Sequence, residues 1–341
     1  MHRKSFLSFL ATASVSPKLM ASSDFDEQPA SPFVIPPNLR KGDTIGITCP
    51  AGFITLEAIQ PSLKLMQSWG FNIKIGATVG KRDFSFGGTD AERLDDFQKM
   101  IDDPSVKAIM CARGGYGAVR FVDKLRLDKL ITNPKWIIGF SDITVIHSHL
   151  ARNARVASIH SKMCNSFPDE WAKADAVQAG TILSIRDALN GTELNYNVLP
   201  SKFNKAGEAR GILVGGNLKT LETLAGTRSD LPTDNCILFI EDTNEYLYSI
   251  DRMVRNLART GKLAKLAALI IGGFKVKPDD PGEEFGRSLY EIVLEQVNGN
   301  AYPVCFDFPV GHQKNNFALK CGVEHFLKVS DAEVIFKEWK A

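Results

Sequence analysis

Short, almost wholly apolar segments alternate with amphipathic segments in the first half of this chain, and this alternation limits the possible fold more than any other feature. Residues 44–48, 106–111 and 136–140 contain too few polar side chains to be strands with one face in water. Between them, residues 56–69 and 90–101 place apolar side chains at helical spacing. This βαβαβαβ order predicts an α/β fold with a parallel sheet that helices cover on both faces.

The alternation stops after residue 165, and this break predicts the domain organisation. Residues 172–189 have a helical pattern and precede a polar connection. Strand-like apolar segments return from Gly211, so a second domain begins near that residue. The predicted parts are an N-terminal domain at 39–165, a connecting segment at 166–209 and a C-terminal α/β domain at 210–335.

The N-terminus differs in composition from the rest of the chain. A basic start at 2–4 precedes an apolar stretch at 6–15, and small residues follow near position 21. This pattern is typical of a cleaved export signal at 1–21, so we expect a periplasmic protein, with a cytoplasmic one as the alternative. Residues 22–38 are rich in Ser, Asp and Pro and predict a flexible linker. No later apolar run is long enough for a stable membrane span.

Charge and cysteine usage exclude several functions. The 41 Lys and Arg nearly balance the 39 Asp and Glu, so no nucleic-acid partner is expected. Three basic residues and no acid precede residue 22, which leaves a mature chain with a net charge of about −1. Cys49, Cys111, Cys236 and Cys305 lie in or at the end of apolar runs without a C-x-x-C pair, so we expect core cysteines and no metal site.

Residues 137–144 (IIGFSDIT) place a serine between an apolar strand and a helix. Ligands of open parallel sheets bind beyond the carboxyl ends of the strands. At such a turn, the next backbone N–H and the helix dipole favour a developing oxyanion beside Ser141. The segment resembles a nucleophile elbow but lacks the second glycine of G-x-S-x-G, and a helix N-cap is an equally good interpretation of Ser141.

A serine nucleophile requires a base, usually histidine, and few histidines are available. His147 and His149 lie two apart on the helix after the serine and are interpreted as structural or exposed. His325 follows a polar turn and is predicted at the surface. His160 and His312 remain as candidates, and His312 is preferred because its loop could face the N-terminal domain.

Two further strand ends contain candidate functional residues. Glu241, Asp242 and Glu245 follow the apolar strand at 236–240, where a carboxylate could orient the histidine or cap the next helix. Residues 112–117 (ARGGYG) also follow a strand, and their backbone N–H groups could bind an anion. Their spacing matches neither a P-loop nor a dinucleotide fingerprint, so no nucleotide cofactor is predicted.

Together these residues resemble the LD-carboxypeptidase family of serine peptidases, the muramoyltetrapeptide carboxypeptidases, which includes the microcin C immunity peptidases. The similarity extends from about residue 39 to residue 329. Its motifs, in chain order, are Gly42-Asp43 with Cys49-Pro50-Ala51-Gly52, Gly88-Thr89-Asp90 with Glu92-Arg93, Arg113-Gly114-Gly115-Tyr116-Gly117, Gly139-Phe140-Ser141-Asp142-Ile143-Thr144, Gly215-Gly216-Asn217, Glu241-Asp242 with Glu245, and Gly311-His312.

The resemblance implies an activity and three catalytic roles. Ser141 would be the nucleophile, His312 the general base and Glu241 its orienting partner. The implied substrates are peptidoglycan-derived muropeptides, from which family members remove a terminal D-alanine. No metal or cofactor is implied, and a homodimer is expected because family members are often dimers.

The resemblance also implies the architecture of the site. A flavodoxin-like or amidotransferase-like N-terminal domain would contain the serine, and a smaller C-terminal α/β domain the glutamate and histidine. The implied oxyanion hole consists of the backbone N–H of Asp142 and that of Gly114 or Gly115. Candidate substrate contacts are Arg113, the hypothetical anchor of the D-alanine carboxylate, together with Tyr116, His160, Asn217 and Glu245.

One segment departs from the family pattern, and two other functions stay open. Ile159-His160-Ser161-Lys162 lacks the Gly-Pro that commonly follows this histidine, so we expect a different substrate wall. A microcin C immunity-type peptidase, cleaving aminoacyl-nucleotide amides, would need a purine-stacking aromatic such as Trp171 or Tyr196. A non-catalytic muropeptide-binding protein is the second alternative.

Overall fold

The computed structural model describes residues 32–340, so the predicted export signal and most of the predicted linker lie outside the described residues. The strands are β1 (Thr44–Thr48), β2 (Asn72–Ile75), β3 (Val106–Cys111), β4 (Trp136–Gly139), β5 (Ser158–His160), β6 (Asn195–Val198), β7 (Gly207–Asn217), β8 (Cys236–Glu245), β9 (Ala268–Val276), β10 (Val304–Cys305), β11 (Leu319–Cys321), β12 (Glu324–Val329) and β13 (Val334–Glu338). The helices are α1 (Leu56–Ser68), α2 (Asp90–Asp102), α3 (Asp128–Thr132), α4 (Thr144–Asn153), α5 (Ala176–Asn190), α6 (Leu218–Leu224), α7 (Leu247–Arg259) and α8 (Leu289–Val297).

The first sheet confirms the predicted α/β class. Its order is β11-β5-β4-β3-β1-β2, and β1 to β5 are parallel. Ile109 and Met110 are neighbours on β3, belong to core clusters on opposite faces and are both fully buried. Burial of both faces explains why these strands have continuous apolar sequences instead of an alternating pattern.

The second sheet has the order β10-β9-β8-β7-β12-β13-β6. Strands β7 to β10 are parallel, whereas β12, β13 and β6 are antiparallel to their neighbours. On one face, Ile250, Met253 and Ile292 from α7 and α8 form part of the core. On the other face, Phe239 and Leu319 belong to one buried cluster, so this face packs against β11 of the first sheet.

Strand β11 belongs to the C-terminal part of the chain but pairs with the first sheet. Leu319 is opposite His160 in an antiparallel register with β5. Beside it, the buried Lys320 ammonium lies 2.8 Å from the Glu338 carboxylate of β13, so an ion pair also connects the two sheets. The sequence did not predict this crossing, because a three-residue apolar strand has no pattern that identifies its neighbour.

The N-terminal end of the described chain differs from the flexible linker predicted for 22–38. Val34 forms a parallel bridge with Val156, and the indole N–H of Trp136 donates to the Pro37 carbonyl at 3.1 Å. Leu39 is buried in the core of the first sheet. Backbone bonds and apolar burial therefore attach residues 33–39 to the fold.

Parts of the predicted connecting segment at 166–209 also belong to the two sheets. Helix α5 begins at Ala176, after a short 3₁₀ turn, and packs Ile182 and Ile185 into the core of the first sheet. Strand β6 is the edge strand of the second sheet. After Gly117, at φ +140°, residues 118–124 form two 3₁₀ turns, although a helix is the expected continuation of this glycine-rich turn.

The predicted core role of most cysteines is confirmed. All six are free, and five are buried, with Cys236 partly exposed. Burial raises the pKa of the Cys49 thiol to about 12, so this thiol remains protonated at neutral pH. Within residues 32–340, no helix is both long and apolar enough to cross a membrane.

We expect Lys320→Met to lower the free energy of unfolding by about 3–5 kcal/mol, because it leaves the Glu338 carboxylate buried without a partner. The double variant Lys320→Met/Glu338→Leu should recover most of this loss, since it removes both charges. Urea unfolding followed by circular dichroism measures both effects. A loss below about 1 kcal/mol in the single variant would contradict this role of the ion pair.

Candidate active site

Ser141 lies in a strained turn between β4 and α4. Its φ of +62° is in the left-handed region, which costs a residue with a side chain about 1–2 kcal/mol. A short 3₁₀ turn begins at this serine and continues into α4, and the Ser141 side chain caps neither helical element. The N-cap interpretation is therefore wrong, and the half-buried hydroxyl remains free for another role.

Glu241 and His312 form a hydrogen-bonded pair. The Glu241 side chain is fully buried, and its Oε2 accepts from Nδ1 of His312 at 2.5 Å and from the backbone N–H of His312 at 3.2 Å. A proton on Nδ1 leaves the lone pair on Nε2 of the imidazole. The pair therefore has the arrangement expected of a carboxylate that orients a histidine base.

Gly311 makes the close approach of this pair possible. Its φ is +102°, and a Cβ atom at this position would collide with the Glu241 side chain. Its backbone N–H donates to Oδ1 of Asn316 at 2.8 Å, which holds the loop from within. Glycine is required at this position for both conformation and space.

The crossing of β11 brings the histidine loop to the serine. Because β11 is antiparallel to β5, the start of β11 lies beside the end of β5. Ser141 follows β4 at the same edge of the sheet, and the His312 loop directly precedes β11. The ring of Phe140 lies 4.9 Å from the imidazole of His312, so the two segments are in contact.

A second contact connects α4 to the second sheet. The hydroxyl of Thr144 accepts the backbone N–H of Asn217 at 3.0 Å. A Cβ atom on Gly216 would collide with Thr144, so the two backbones approach closely here. Asn217 is opposite Glu241 in the register of β7 and β8, so this contact also fixes Glu241 relative to the helix after the serine.

The predicted oxyanion donors lie around Ser141. A Cβ atom on Gly114 would lie 3.2 Å from that of Ser141, so this glycine borders the serine directly. Within residues 32–340, the backbone N–H groups of Gly114, Gly115 and Asp142 have no hydrogen-bond acceptor. Unpaired amides beside a serine oxygen are able to stabilise a negative charge.

The Asp142 side chain shapes this loop from beneath. Its carboxylate accepts the backbone N–H of Ala118 at 2.9 Å, and burial raises its pKa to about 6. The buried guanidinium of Arg93 donates to the carbonyls of Pro50 and Gly117. It thereby connects the end of the glycine-rich segment to the loop after β1. These buried hydrogen bonds fix the loop at the end of the glycine-rich segment.

The other predicted substrate contacts have different environments. Arg113 and Tyr116 are exposed, although Nη1 of Arg113 already donates to the Phe53 carbonyl at 2.8 Å. The Asn217 amide caps α6 and bonds Asp242, while Glu245 accepts from Ser249 at 2.6 Å. Arg113 and Tyr116 are therefore the most exposed of these four side chains, whereas Glu245 is partly exposed and Asn217 is buried.

His160 does not fit the predicted substrate contact, because its side chain is fully buried. Its ring packs edge-on against Phe140 at 5.8 Å and Phe239 at 4.9 Å, and burial lowers its pKa well below the usual value. A neutral imidazole in this position supports the Phe140 ring. The sequence did not predict the burial of the His160 side chain. This residue ends a strand of a parallel sheet, and such a position is equally suitable for a ligand contact.

The other three histidines of residues 32–340 are buried in the fold. His147 and His149 are buried, and His147 bonds the Gly139 carbonyl at 2.9 Å. The predicted surface position of His325 is wrong: it is 1% exposed and stacks on Phe336 at 4.7 Å. In β12, buried and more exposed residues alternate, and His325 occupies one of the buried positions. The polar residues next to His325 made this alternation hard to recognise in the sequence. Nowhere in residues 32–340 do three His, Cys, Asp or Glu side chains form a potential metal site.

Two residues of the site region were not recognised from the sequence. Thr144 forms the contact between α4 and the second sheet, and its only sequence signal is its position three residues after the serine. Lys162 donates to the carbonyl of Gln313, beside His312, at 2.7 Å. The only indication of Lys162 in the sequence was its position just after a buried strand. There it was noted only as part of a departure from the family motif.

Comparison with known proteins identifies the family. The LD-carboxypeptidase N-terminal domain matches residues 45–161, and the LD-carboxypeptidase C-terminal domain matches residues 210–327. The chain therefore belongs to the LD-carboxypeptidase family and is an enzyme of the carboxypeptidase class.

Individual relatives cover most of the chain. A probable murein peptide carboxypeptidase of Bacillus subtilis is 29% identical over 308 residues, which are 89% of this chain and 94% of the relative. The microcin C7 self-immunity protein of Escherichia coli is 27% identical, with 88% and 94% covered. The crystal structure of a muramoyltetrapeptide carboxypeptidase from Oxalobacter formigenes is 27% identical, has a TM-score of 0.78 and covers 87% of this chain and 99% of its own.

We expect Ser141→Gly to be more stable than Ser141→Ala by about 1 kcal/mol, because only glycine adopts the positive φ without strain. Both variants lack the hydroxyl, so urea unfolding isolates the backbone effect. Ser148 lies within α4, where the order of the glycine and alanine variants should be reversed. The same order at both positions would contradict the strain at Ser141.

Gly311→Ala should lower the free energy of unfolding by about 3 kcal/mol, since it combines backbone strain with a collision against Glu241. Gly261→Ala is the matched control, because Gly261 has a φ of +80° but no neighbouring atom within 4 Å. Its expected loss is about 1 kcal/mol. Equal losses in urea unfolding would show that the approach to Glu241 is not tight.

Proposed function

We propose that this chain is a serine-type LD-carboxypeptidase that removes the terminal D-alanine from murein tetrapeptides. The main supporting observation is the 2.5 Å hydrogen bond between Glu241 and His312, on a loop in contact with the turn that contains Ser141. Two similar proteins have names that refer to murein peptides or muramoyltetrapeptides, which favours this substrate class.

In the proposed reaction, Nε2 of His312 removes the proton of the Ser141 hydroxyl as the oxygen attacks the carbonyl before D-alanine. Glu241 holds the Nδ1–H tautomer and stabilises the imidazolium that forms. The tetrahedral intermediate collapses to an acyl-enzyme while His312 protonates the leaving amine. Water then attacks the acyl-enzyme by the same route and regenerates the serine.

The negative charge of the tetrahedral intermediate would be stabilised by backbone N–H groups. Asp142 and Gly114 or Gly115 are the proposed donors, because their amides are unpaired within the described range and because Gly114 borders Ser141, which Asp142 follows in the chain. Loss of one such donor typically costs about a hundredfold or more in rate. The buried Asp142 carboxylate holds this loop in place by accepting from Ala118.

The proposed location of the reaction is outside the cytoplasm. The basic and apolar composition of residues 1–21 supports an export signal, so the substrates would be wall fragments in the periplasm. The homodimer that the family resemblance implies stays a prediction.

A microcin C immunity-type activity on aminoacyl-nucleotide amides is the second candidate. It is favoured by the similarity to the microcin C7 self-immunity protein and by the partly exposed ring of Trp171. Tyr196 is a poor candidate for stacking on a purine, because its hydroxyl donates to Ala318 and its ring packs between Phe308 and Phe317.

The decisive experiment is mass spectrometry of a disaccharide tetrapeptide, and separately of an aspartyl sulfamoyl adenosine, after incubation with the purified protein. We expect release of one alanine from the tetrapeptide. Ser141→Ala should lower the rate at least about 10⁴-fold, and Glu241→Gln about 10²–10⁴-fold through loss of the correct tautomer. Ser68→Ala, an exposed serine at the end of α1, is the control with unchanged rate.

Each other outcome selects a different function. Cleavage of only the nucleotide amide would favour the immunity-type peptidase. Binding of the tetrapeptide without cleavage, together with no labelling of Ser141 by a fluorophosphonate, would favour a muropeptide-binding protein. Release of alanine by Ser141→Ala at the wild-type rate would refute the proposed nucleophile.

A further inference from the structure

Lys162 is a partly buried cation beside the proposed catalytic residues. Its Nζ donates to the carbonyl of Gln313, the residue after His312, at 2.7 Å and lies 5.6 Å from the ring centroid of Phe140, the residue before Ser141. Within residues 32–340 it forms no ion pair. Burial lowers the pKa of this ammonium, whereas the negative charge of Glu241 raises it.

Lys162 lines a cavity of about 160 Å³ whose other polar side chains are all able to donate hydrogen bonds. The remaining lining residues are Ser166, Gln178, Thr181, Ile182 and Lys314. Thr181 is 1% exposed, and its hydroxyl has no hydrogen-bond partner within the described residues. The second lysine is paired with Asp175 at 2.5 Å, whereas Lys162 forms no ion pair within the described residues.

An unpaired ammonium and an unpaired buried hydroxyl fit a carboxylate, which accepts several hydrogen bonds and neutralises the charge. We propose that Lys162 and Thr181, with the cavity that both line, bind a free carboxylate of the peptide substrate next to the scissile bond.

This inference rests on the proposed function and names the substrate group that the site recognises. Next to the scissile bond, a tetrapeptide offers two sources, the carboxylate of the terminal D-alanine and a side-chain carboxylate on the third residue. Arg113 was the anchor hypothesised from the sequence, and like Lys162 it donates to one backbone carbonyl, that of Phe53. Lys162 is preferred as the anchor because it contacts both Phe140, before Ser141, and Gln313, after His312.

A double-mutant cycle between protein and peptide tests the proposal. Ser141→Ala protein, which would not turn over the peptide, is titrated calorimetrically with tetrapeptides that contain meso-diaminopimelate or L-lysine third, each as terminal acid or terminal amide. We expect Lys162→Met to weaken binding about 10–100-fold only for peptides that retain the recognised carboxylate. Lys162→Arg should restore most of the affinity, and Arg113→Gln should not alter this selectivity.

If Lys162→Met no longer weakens binding when the peptide lacks one of the two carboxylates, that carboxylate is the one that Lys162 binds. Equal weakening of all four peptides would assign Lys162 to holding the His312 loop through Gln313, and would overturn the inference. An unchanged affinity, or selectivity lost in Arg113→Gln instead, would overturn it as well. Failure of the folded Ser141→Ala protein to bind any of the peptides would refute the proposed function together with the inference.

Discussion

The pairing of β11 with β5 is the constraint on which the candidate site depends. Ser141 follows a strand of the first sheet, whereas Glu241 lies on a strand of the second. The chain returns from the second sheet to the first through β11, and the histidine loop is the segment directly before this return. The buried ion pair between Lys320 and Glu338 holds the same crossing, so the relative position of the sheets and the geometry of the site are fixed together.

The site combines strain with close approach, and the surrounding packing maintains both. The positive φ of Ser141 and the absence of side-chain volume at Gly311 are unfavourable locally, because each costs conformational free energy. The Thr144 contact to Asn217 and the buried rings around His160 hold the backbone in these conformations. Such strain is common where a reactive group must project from the end of a sheet.

Family membership and local chemistry answer different questions about this enzyme. The family determines the class of reaction, and its members include proteins named for murein peptides and one named for microcin immunity. We propose that discrimination between these substrates depends on the wall of the site, where Lys162 occupies a position that departs from the family pattern.

The sequence alone determined the parallel α/β class, the order of β1 to β4 with α1 and α2, and the turn that contains Ser141, because these follow from local apolar periodicity and from residues adjacent in the chain. The family resemblance of its motifs implied catalytic roles for Glu241 and His312 among the open alternatives. Only the tertiary structure decided that β11 joins the first sheet, that His160 and His325 are buried, and that Lys162 faces a cavity. These features depend on contacts between segments far apart in sequence, and no local pattern encodes which of two sheets a short strand joins or which side of a loop a polar residue faces.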